Sequence, residues 1–379
     1  MKERDVLFGL HEMDGIGWHT IDRLKRAVGD LSVLPALGEK DILALPVPPD
    51  GRGRGLGPEG ARRIYAATRE DWIAGRKERL RRSGADFRAA VDPDYPEWLR
   101  HIHGPPWVLY GIGDWSMLRQ PIIAVVGTRT PTAYGRRVAR MLAAGLSDAG
   151  WRVASGLARG IDGEAHAGAL TGPGGTIAVL ATPVDTPYPR EHAALYRRIC
   201  QDGLVLSETP LGTPLTKGLF PVRNRIIAGL SLGTVVVEAD ERSGSLITAT
   251  FALEQNRELF AVPGPVSSPK SAGTNRLIQR SHAKLVMEAA DILEEFPGWT
   301  SAAAGTRPSP GPAAVGVDED GLSRDERFVL SFMSDVPVTF DELLAATQFD
   351  FGQLHSVLLH LLMKKKIEQR PGSRFIRYH

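Results

Sequence analysis

Apolar and polar positions fall into three regimes along the chain. Between about residue 105 and 298, short unbroken apolar runs recur: Ile122-Ile123-Ala124-Val125-Val126, Thr176-Ile177-Ala178-Val179-Leu180, Thr234-Val235-Val236-Val237 and Leu259-Phe260-Ala261-Val262. Runs without polar alternation belong to strands buried on both faces, as in parallel sheets. Helical patterns separate them, among them Tyr134 to Ala149 and Leu246 to Asn256. The βαβα succession predicts an α/β fold, an extended Rossmann-like, doubly wound and mostly parallel sheet.

The flanks differ from this core. Residues 1–100 read as helical, with Asp14-Gly15-Ile16-Gly17 turning into an amphipathic helix from His19 to Val28. This is the pattern of a SAM or helix–hairpin–helix module, whose helix N-terminal amides can meet a phosphate. Plain helix punctuation is the alternative. The basic run Arg76 to Arg82 suits nucleic-acid contact or a solvated helix face. Residues 322–379 read helix, helix, helix, strand. Val338, Leu343, Leu344, Leu354, Val357, Leu358, Leu361 and Leu362 fit three short helices. The ending Lys364 to Arg374 suits a β-hairpin wing about Pro371-Gly372. That is a winged-helix pattern, a module for duplex DNA or for protein docking.

Thr300 to Gly321 is rich in Ala, Pro, Gly and Ser without apolar period. Such a segment buries too little surface to offset its ordering entropy and reads as a flexible linker. The expected domains are 1–100 (helical), 105–298 (Rossmann-like), a linker at 299–321, and 322–379 (winged helix). Pro46 to Gly60 is a second irregular stretch.

Composition narrows the class. A chain of 379 residues, 42% hydrophobic and 24% charged, is long enough for two or three domains with real cores. Its 46 Lys+Arg and 44 Asp+Glu leave a net +2, so a nucleic-acid surface must come from local clustering. The single Cys200 excludes a disulfide framework and Cys-based zinc or iron–sulfur sites. No apolar stretch reaches about 18 residues, so no membrane span is expected. The charged opening Met1-Lys2-Glu3-Arg4-Asp5 does not read as a signal peptide. A cytoplasmic protein is expected.

Ligands of open parallel sheets bind outside the carboxyl ends of the strands, at helix N-termini. Three loops there share one character: Gly127-Thr128-Arg129, then Ser155-Gly156-Leu157-Ala158-Arg159-Gly160-Ile161-Asp162, then Arg242-Ser243-Gly244-Ser245. Each joins small, amide-exposing residues to a hydroxyl and an arginine. Three on one edge predict a phosphate-accepting rim reinforced by guanidinium groups. Tight turns with incidental arginines are the alternative.

The stretch Lys217-Gly218-Leu219-Phe220-Pro221-Val222-Arg223-Asn224-Arg225 interleaves an aromatic with three cations, just before a helix expected at Ile226 to Leu230. Lys217, Arg223 and Arg225 can neutralise successive phosphates and Phe220 can stack on a base, with Asn224 beside them. Against this, Phe220 can be core and Arg223 a helix-cap partner.

Other chemistries are poorly supported. The first loop lacks the G-x-G-x-x-G of a dinucleotide site, and no G-x-x-x-x-G-K-[ST] is present. Asp162 and His166, four apart, read as a helix cap and a locally bonded histidine more readily than as an acid–base pair. His101-Ile102-His103 lacks a third metal ligand, and neither HExxH nor a Gly-x-Ser-x-Gly elbow occurs. No catalytic residue, metal or cofactor is predicted.

Residues 121–283 closely resemble the DprA/Smf family of DNA-processing proteins. The matching segments are VVGTR…YG (125–135), SGLARGIDGEAHAGAL (155–170), TIAVLA (176–181), YPREHAAL (188–195), LSETP (206–210), FPVRNRIIAGLS (220–231), VVVEADERSGSLITATFALEQNRELFAVPG (235–264) and GTNRLI (273–278). The resemblance implies a non-catalytic protein that binds and protects single-stranded DNA in natural transformation and recombination. Implied partners are RecA recombinase, loaded onto that strand, and single-strand-binding protein. A homodimer through the Rossmann-like domain is implied too. Carried over by position, the pocket takes Gly127, Thr128 and Arg129, then Ser155, Gly156, Arg159 and Gly160, then Ser243, Gly244 and Ser245. Lys217, Phe220, Arg223 and Arg225 form its lip. The chain departs from the family at Pro183-Val184-Asp185, where Gly-Leu-Asp is usual, at His282-Ala283, where Gly-Ala is usual, and at Thr128, where serine is common.

Two other readings compete. A phosphoribohydrolase-like nucleotide enzyme would need a PGGxGT-type loop after a strand, whereas Gly172-Pro173-Gly174-Gly175-Thr176 precedes one. A winged-helix regulator of duplex DNA would leave the long core as a ligand sensor.

Overall fold

The apolar runs become the centre of one large sheet. The computed structural model describes residues 1–50, 55–300, 322, 324–333, 338–347, 349, 351–364, 366–370 and 374–377. Residues 1–304 form one compact unit. Its strands are β1 (Asp86–Ala89), β2 (Val108–Gly113), β3 (Ile122–Val126), β4 (Arg152–Ser155), β5 (Thr176–Leu180), β6 (Leu204–Ser207), β7 (Gly233–Val236), β8 (Glu258–Ala261) and β9 (Lys284–Leu285). They lie in the order β1-β2-β6-β5-β4-β3-β7-β8-β9. The β1–β2 and β2–β6 pairs are antiparallel, and the rest of the sheet is parallel.

Both faces are covered, which is why the runs lack polar alternation. Ile122, Ala124 and Val126 of β3 share a core with Ile226, Ile227, Ala249 and Ala252 of helices Leu219–Leu230 and Ser245–Glu254. Ile123 and Val125 join Val138, Leu142, Leu146 and Ala165 of helices Ala133–Asp148 and Ile161–Ala169 on the opposite face. Strand β3 connects toward β4 while its neighbour β7 connects toward β8. Departures in opposite directions open a crevice at the carboxyl ends of β3 and β7.

Helices Glu3–His11, Trp18–Val28, Pro58–Ala67 and Glu70–Arg82 bury Phe8, Leu24, Ile64 and Leu80 in a core shared with Phe87 of β1 and Tyr110 of β2. Strand β1 therefore lies inside the segment read as helical. Its alternation, with Phe87 and Ala89 buried, lasts only four residues. The basic run proves to be a paired helix face: Arg76 stacks on Trp72, Lys77 bonds Asp5, and Arg81 and Arg82 bond Glu78. Among the described residues, no helix is long and apolar enough to cross a membrane, and no cluster of metal-ligating side chains occurs.

The second unit, residues 305–379, has its own core. Helices Arg324–Ser331, Phe340–Thr347 and Phe351–Met363 accompany a sheet ordered β10 (Val338–Thr339), β12 (Arg374–Arg377), β11 (Ile367–Arg370). Leu343, Leu354, Val357, Leu358 and Leu361 are buried in it, and Glu326 accepts Lys364 Nζ through both oxygens at 2.8 and 2.7 Å. Helices followed by this antiparallel pair make a winged-helix domain. Val338, expected in a helix, begins the small sheet instead. Most of the expected linker, residues 301–321, and the Pro371-Gly372 turn lie outside the described residues.

Candidate nucleic-acid interface

The second loop is built inward. Ser155 is fully buried, and its Oγ donates to the Val125 carbonyl at 2.7 Å. Asp162, in the first turn of helix Ile161–Ala169, accepts the Gly156 and Ala158 amides at 3.1 and 3.3 Å. The Leu157 amide donates to His166 Nε2 at 3.2 Å, and His166 Nδ1 meets Thr176 Oγ1 at 2.7 Å. The expectation that all three loops offer amides to a ligand is thereby corrected: Asp162 and His166 hold this loop's amides, the Glu238 carbonyl holds that of Thr128, and Asp240 and Ser243 hold those of Arg242, Ser243 and Ser245. Asp162 and His166 serve as scaffold: His166 is locally bonded, as expected, whereas Gly160 occupies the N-cap and Asp162 bonds the preceding loop instead of capping its helix. Burial raises the Asp162 carboxyl against the opposing pull of Arg223, and burial lowers His166 to about 3.

Arg223 completes that scaffold. Its guanidinium Nη1 donates to the carbonyls of Gly156, at 2.7 Å, and Val179, and Nε donates to Asn224 Oδ1 at 3.1 Å. Only 6% of the residue is exposed, and burial pulls its pKa down to about 10. Gly156 has to be glycine, because a Cβ there would sit 2.5 Å from the Arg223 guanidinium. Gly160 adopts φ +81°, and a Cβ would lie 2.4 Å from the Thr128 carbonyl, a position L side chains avoid.

Helix Leu219–Leu230 begins earlier than the expected Ile226. Pro221 sits in its first turn, where a missing N–H costs nothing. Winding the basic stretch into a helix sends its cations different ways. Arg223 points into the scaffold. Arg225 donates to both Glu208 oxygens at 2.7 and 2.6 Å, and it lines a separate cavity with His11, Trp18 and Thr209. Lys217 and Phe220 remain at the crevice, with Asn224 alongside.

There the rim is assembled. The crevice is lined by Gly127, Thr128 and Arg129 from the first loop and by Ser243, Gly244 and Ser245 from the third. Buried Glu238 ties the two together: its carbonyl accepts the Thr128 amide at 2.7 Å, and its carboxylate accepts Thr132 N and Oγ1 at 2.9 and 2.6 Å. Ser243 and Ser245 hydroxyls bond at 2.8 Å beside exposed Gly244. The Arg129 guanidinium lies over the Phe220 ring, 5.3 Å from its centroid, and Tyr188 tilts against the same ring at 5.6 Å. Arg159 lines an adjoining pocket with Arg129, Tyr188 and Phe220. Phe220 is half-buried at a wall, so it is neither free nor core.

The structure thus gathers Gly127, Thr128, Arg129, Arg159, Lys217, Phe220, Asn224, Ser243, Gly244 and Ser245 around the opening. Ser155 and Arg225 are turned away from the opening, Arg223 lines it while its guanidinium is committed to the scaffold, and Gly156 and Gly160 shape the backbone. Sequence reasoning missed Tyr188, Glu191 and Glu238. YPREH stands in the sequence as one of the matching segments, yet only the fold brings it beside the second loop.

Fold and site together define a Rossmann-like protein whose switch-point crevice carries cations and aromatics in place of a dinucleotide fingerprint, joined to a winged helix. A family profile described as DNA recombination-mediator protein A matches residues 86–297, and one for the DprA winged helix domain matches 311–373. The chain belongs to this DprA/Smf family. It is 45% identical over 218 residues to the DNA processing protein DprA of Bacillus subtilis, covering 57% of this chain and 73% of that protein. The solved structure of DNA processing protein A from Streptococcus pneumoniae matches with TM-score 0.67 and 34% identity, over 78% of this chain and 99% of that one. DNA processing protein A from Helicobacter pylori, described for its unique single-stranded DNA binding mode, matches with TM-score 0.52 and 30% identity, over 57% and 98%.

Proposed function

We propose that this chain is a non-catalytic mediator that binds and protects single-stranded DNA in the crevice and helps load RecA onto it. The observation that carries the reading is the Arg129–Phe220–Tyr188 cluster beside exposed Lys217. Cations track phosphates without regard to sequence, and an aromatic face takes any base, contributing roughly 1–3 kcal/mol. A base must leave its stack to reach Phe220, which favours a single strand over a duplex. The Helicobacter pylori relative's binding mode supports the same ligand. Asp162 and His166, the nearest approach to an acid–base pair, are consumed by the scaffold.

Natural transformation and homologous recombination in the cytoplasm are the setting this assigns, with single-strand-binding protein as the competitor to be displaced. The winged helix is the contact for duplex DNA or for a protein. A homodimer through the Rossmann-like unit accompanies this reading, supported by the half-exposed Leu285 on edge strand β9 and by exposed Met287. The test is RecA filament growth on a strand coated with single-strand-binding protein. The protein should shorten the lag in proportion to its concentration. An unchanged lag contradicts the loading role.

A further inference from the structure

The pocket beside the crevice has no acid in its lining, yet an acid pairs with one of its arginines. Tyr188-Pro189 leads into a single 3-10 turn, Arg190–His192. His192 Nδ1 lies 2.9 Å from the Leu157 carbonyl, anchoring the turn to the second loop. From that turn the Glu191 carboxylate reaches the Arg159 guanidinium, with the two side chains 56% and 63% exposed. The other rim cations are placed differently. Arg129 lies over Phe220 and Lys217 is exposed, neither with a carboxylate partner among the described residues.

We propose that Glu191 is a built-in counter-ion for Arg159, displaced by a phosphodiester when a strand binds, and that it thereby sets the affinity of the crevice. The inference rests on the crevice being the strand's site. An exposed ion pair is weak in water, so a strand phosphate reinforced by neighbouring cations can replace the carboxylate. The exchange still lowers affinity, because Arg159 gives up one partner to gain another. A contact held below its full strength suits a strand that must afterwards be passed on.

The experiment is a fluorescence-anisotropy titration of oligo-dT over a salt series with four full-length proteins: wild type, Glu191→Gln, Arg159→Ala and the double variant. Asp185→Asn, which removes an exposed charge from the preceding loop, controls for through-space electrostatics. Glu191→Gln should tighten binding by about two- to fivefold and leave the salt slope nearly unchanged, because Arg159 neutralises one phosphate in either protein. In the Arg159→Ala background the same substitution should do no more than Asp185→Asn does. Unchanged or weaker binding by Glu191→Gln would make Glu191 an orienting partner and overturn the proposal. A gain that survives without Arg159 would overturn it as well. Absence of oligo-dT binding by the wild type would strike the strand reading itself, and the counter-ion role with it.

Discussion

The second loop and the rim opposite it share a sequence character and have opposite physical designs. Gly156, Ala158 and Leu157 point their amides at Asp162 and His166, and Arg223 locks the carbonyl side. The Asp162 and Arg223 charges there are buried against each other, and Arg159 alone of that loop's charges is exposed. On the rim, Arg129 lies on an aromatic face, Lys217 is exposed and Gly244 is open. The contrast separates the groups that hold the crevice in shape from those left for a ligand. An arginine in a basic stretch can belong to either.

Breaking the internal side should cost the most. Replacing Arg223 by Met leaves Asp162 buried without its nearby cation and takes the guanidinium donor from two carbonyls. Removing one partner of a buried charge network costs about 3–5 kcal/mol, so chemical denaturation should reveal a loss of that size. A loss under about 1 kcal/mol, the scale of an exposed pair, would move Arg223 to the rim.

Acid should expose the same interior more gradually. Burial pushes His166 down to about 3, and burial, then Arg225, pushes His11 down to about 4. Unfolding restores the ordinary value near 6.5, so below it the unfolded chain binds protons that the folded one refuses. The stability these neutral rings support is complete above about pH 6.5. It is lost toward pH 4 by up to about 1.4 kcal/mol per pH unit for each. Urea unfolding at several pH values checks this, and His11→Gln should flatten the dependence. An unaltered slope in that variant contradicts a neutral buried His11.

Substitutions on the rim should leave stability nearly untouched and change binding instead. Phe220→Ala removes the ring shared by Arg129 and Tyr188 and should weaken oligo-dT binding by roughly 1–3 kcal/mol. Melting and titration of the same sample separate the effects. A large loss of thermal stability with unchanged affinity would place Phe220 with the core.

How much of this was legible follows the same division. The runs at β3, β5, β7 and β8 announced a parallel sheet because burial on both faces leaves a one-dimensional mark. Strand β1 left almost none. Its four residues alternate too briefly, and its partner β2 is supplied by the tertiary fold. The loops were found because a strand's carboxyl end is a fixed place in this topology. Which amides were free was hidden, since Asp162 and His166 reach back from the following helix. Arg223 and Arg225 part company because residues 219–225, expected to precede the helix, belong to it, and its winding turns the two cations to different sides. Glu191 and Tyr188 reach the second loop and Phe220 only through folding.

The central claim is that the rim, with Lys217 at its edge, is a single-strand site. Its most direct test is a salt-series anisotropy titration of the full chain, with oligo-dT and a matched duplex, in wild type and Lys217→Glu. The account predicts roughly tenfold or greater preference for the single strand and a steep salt slope that becomes shallower in the variant. Duplex binding that is equal or tighter, and that persists without residues 322–379, would contradict it.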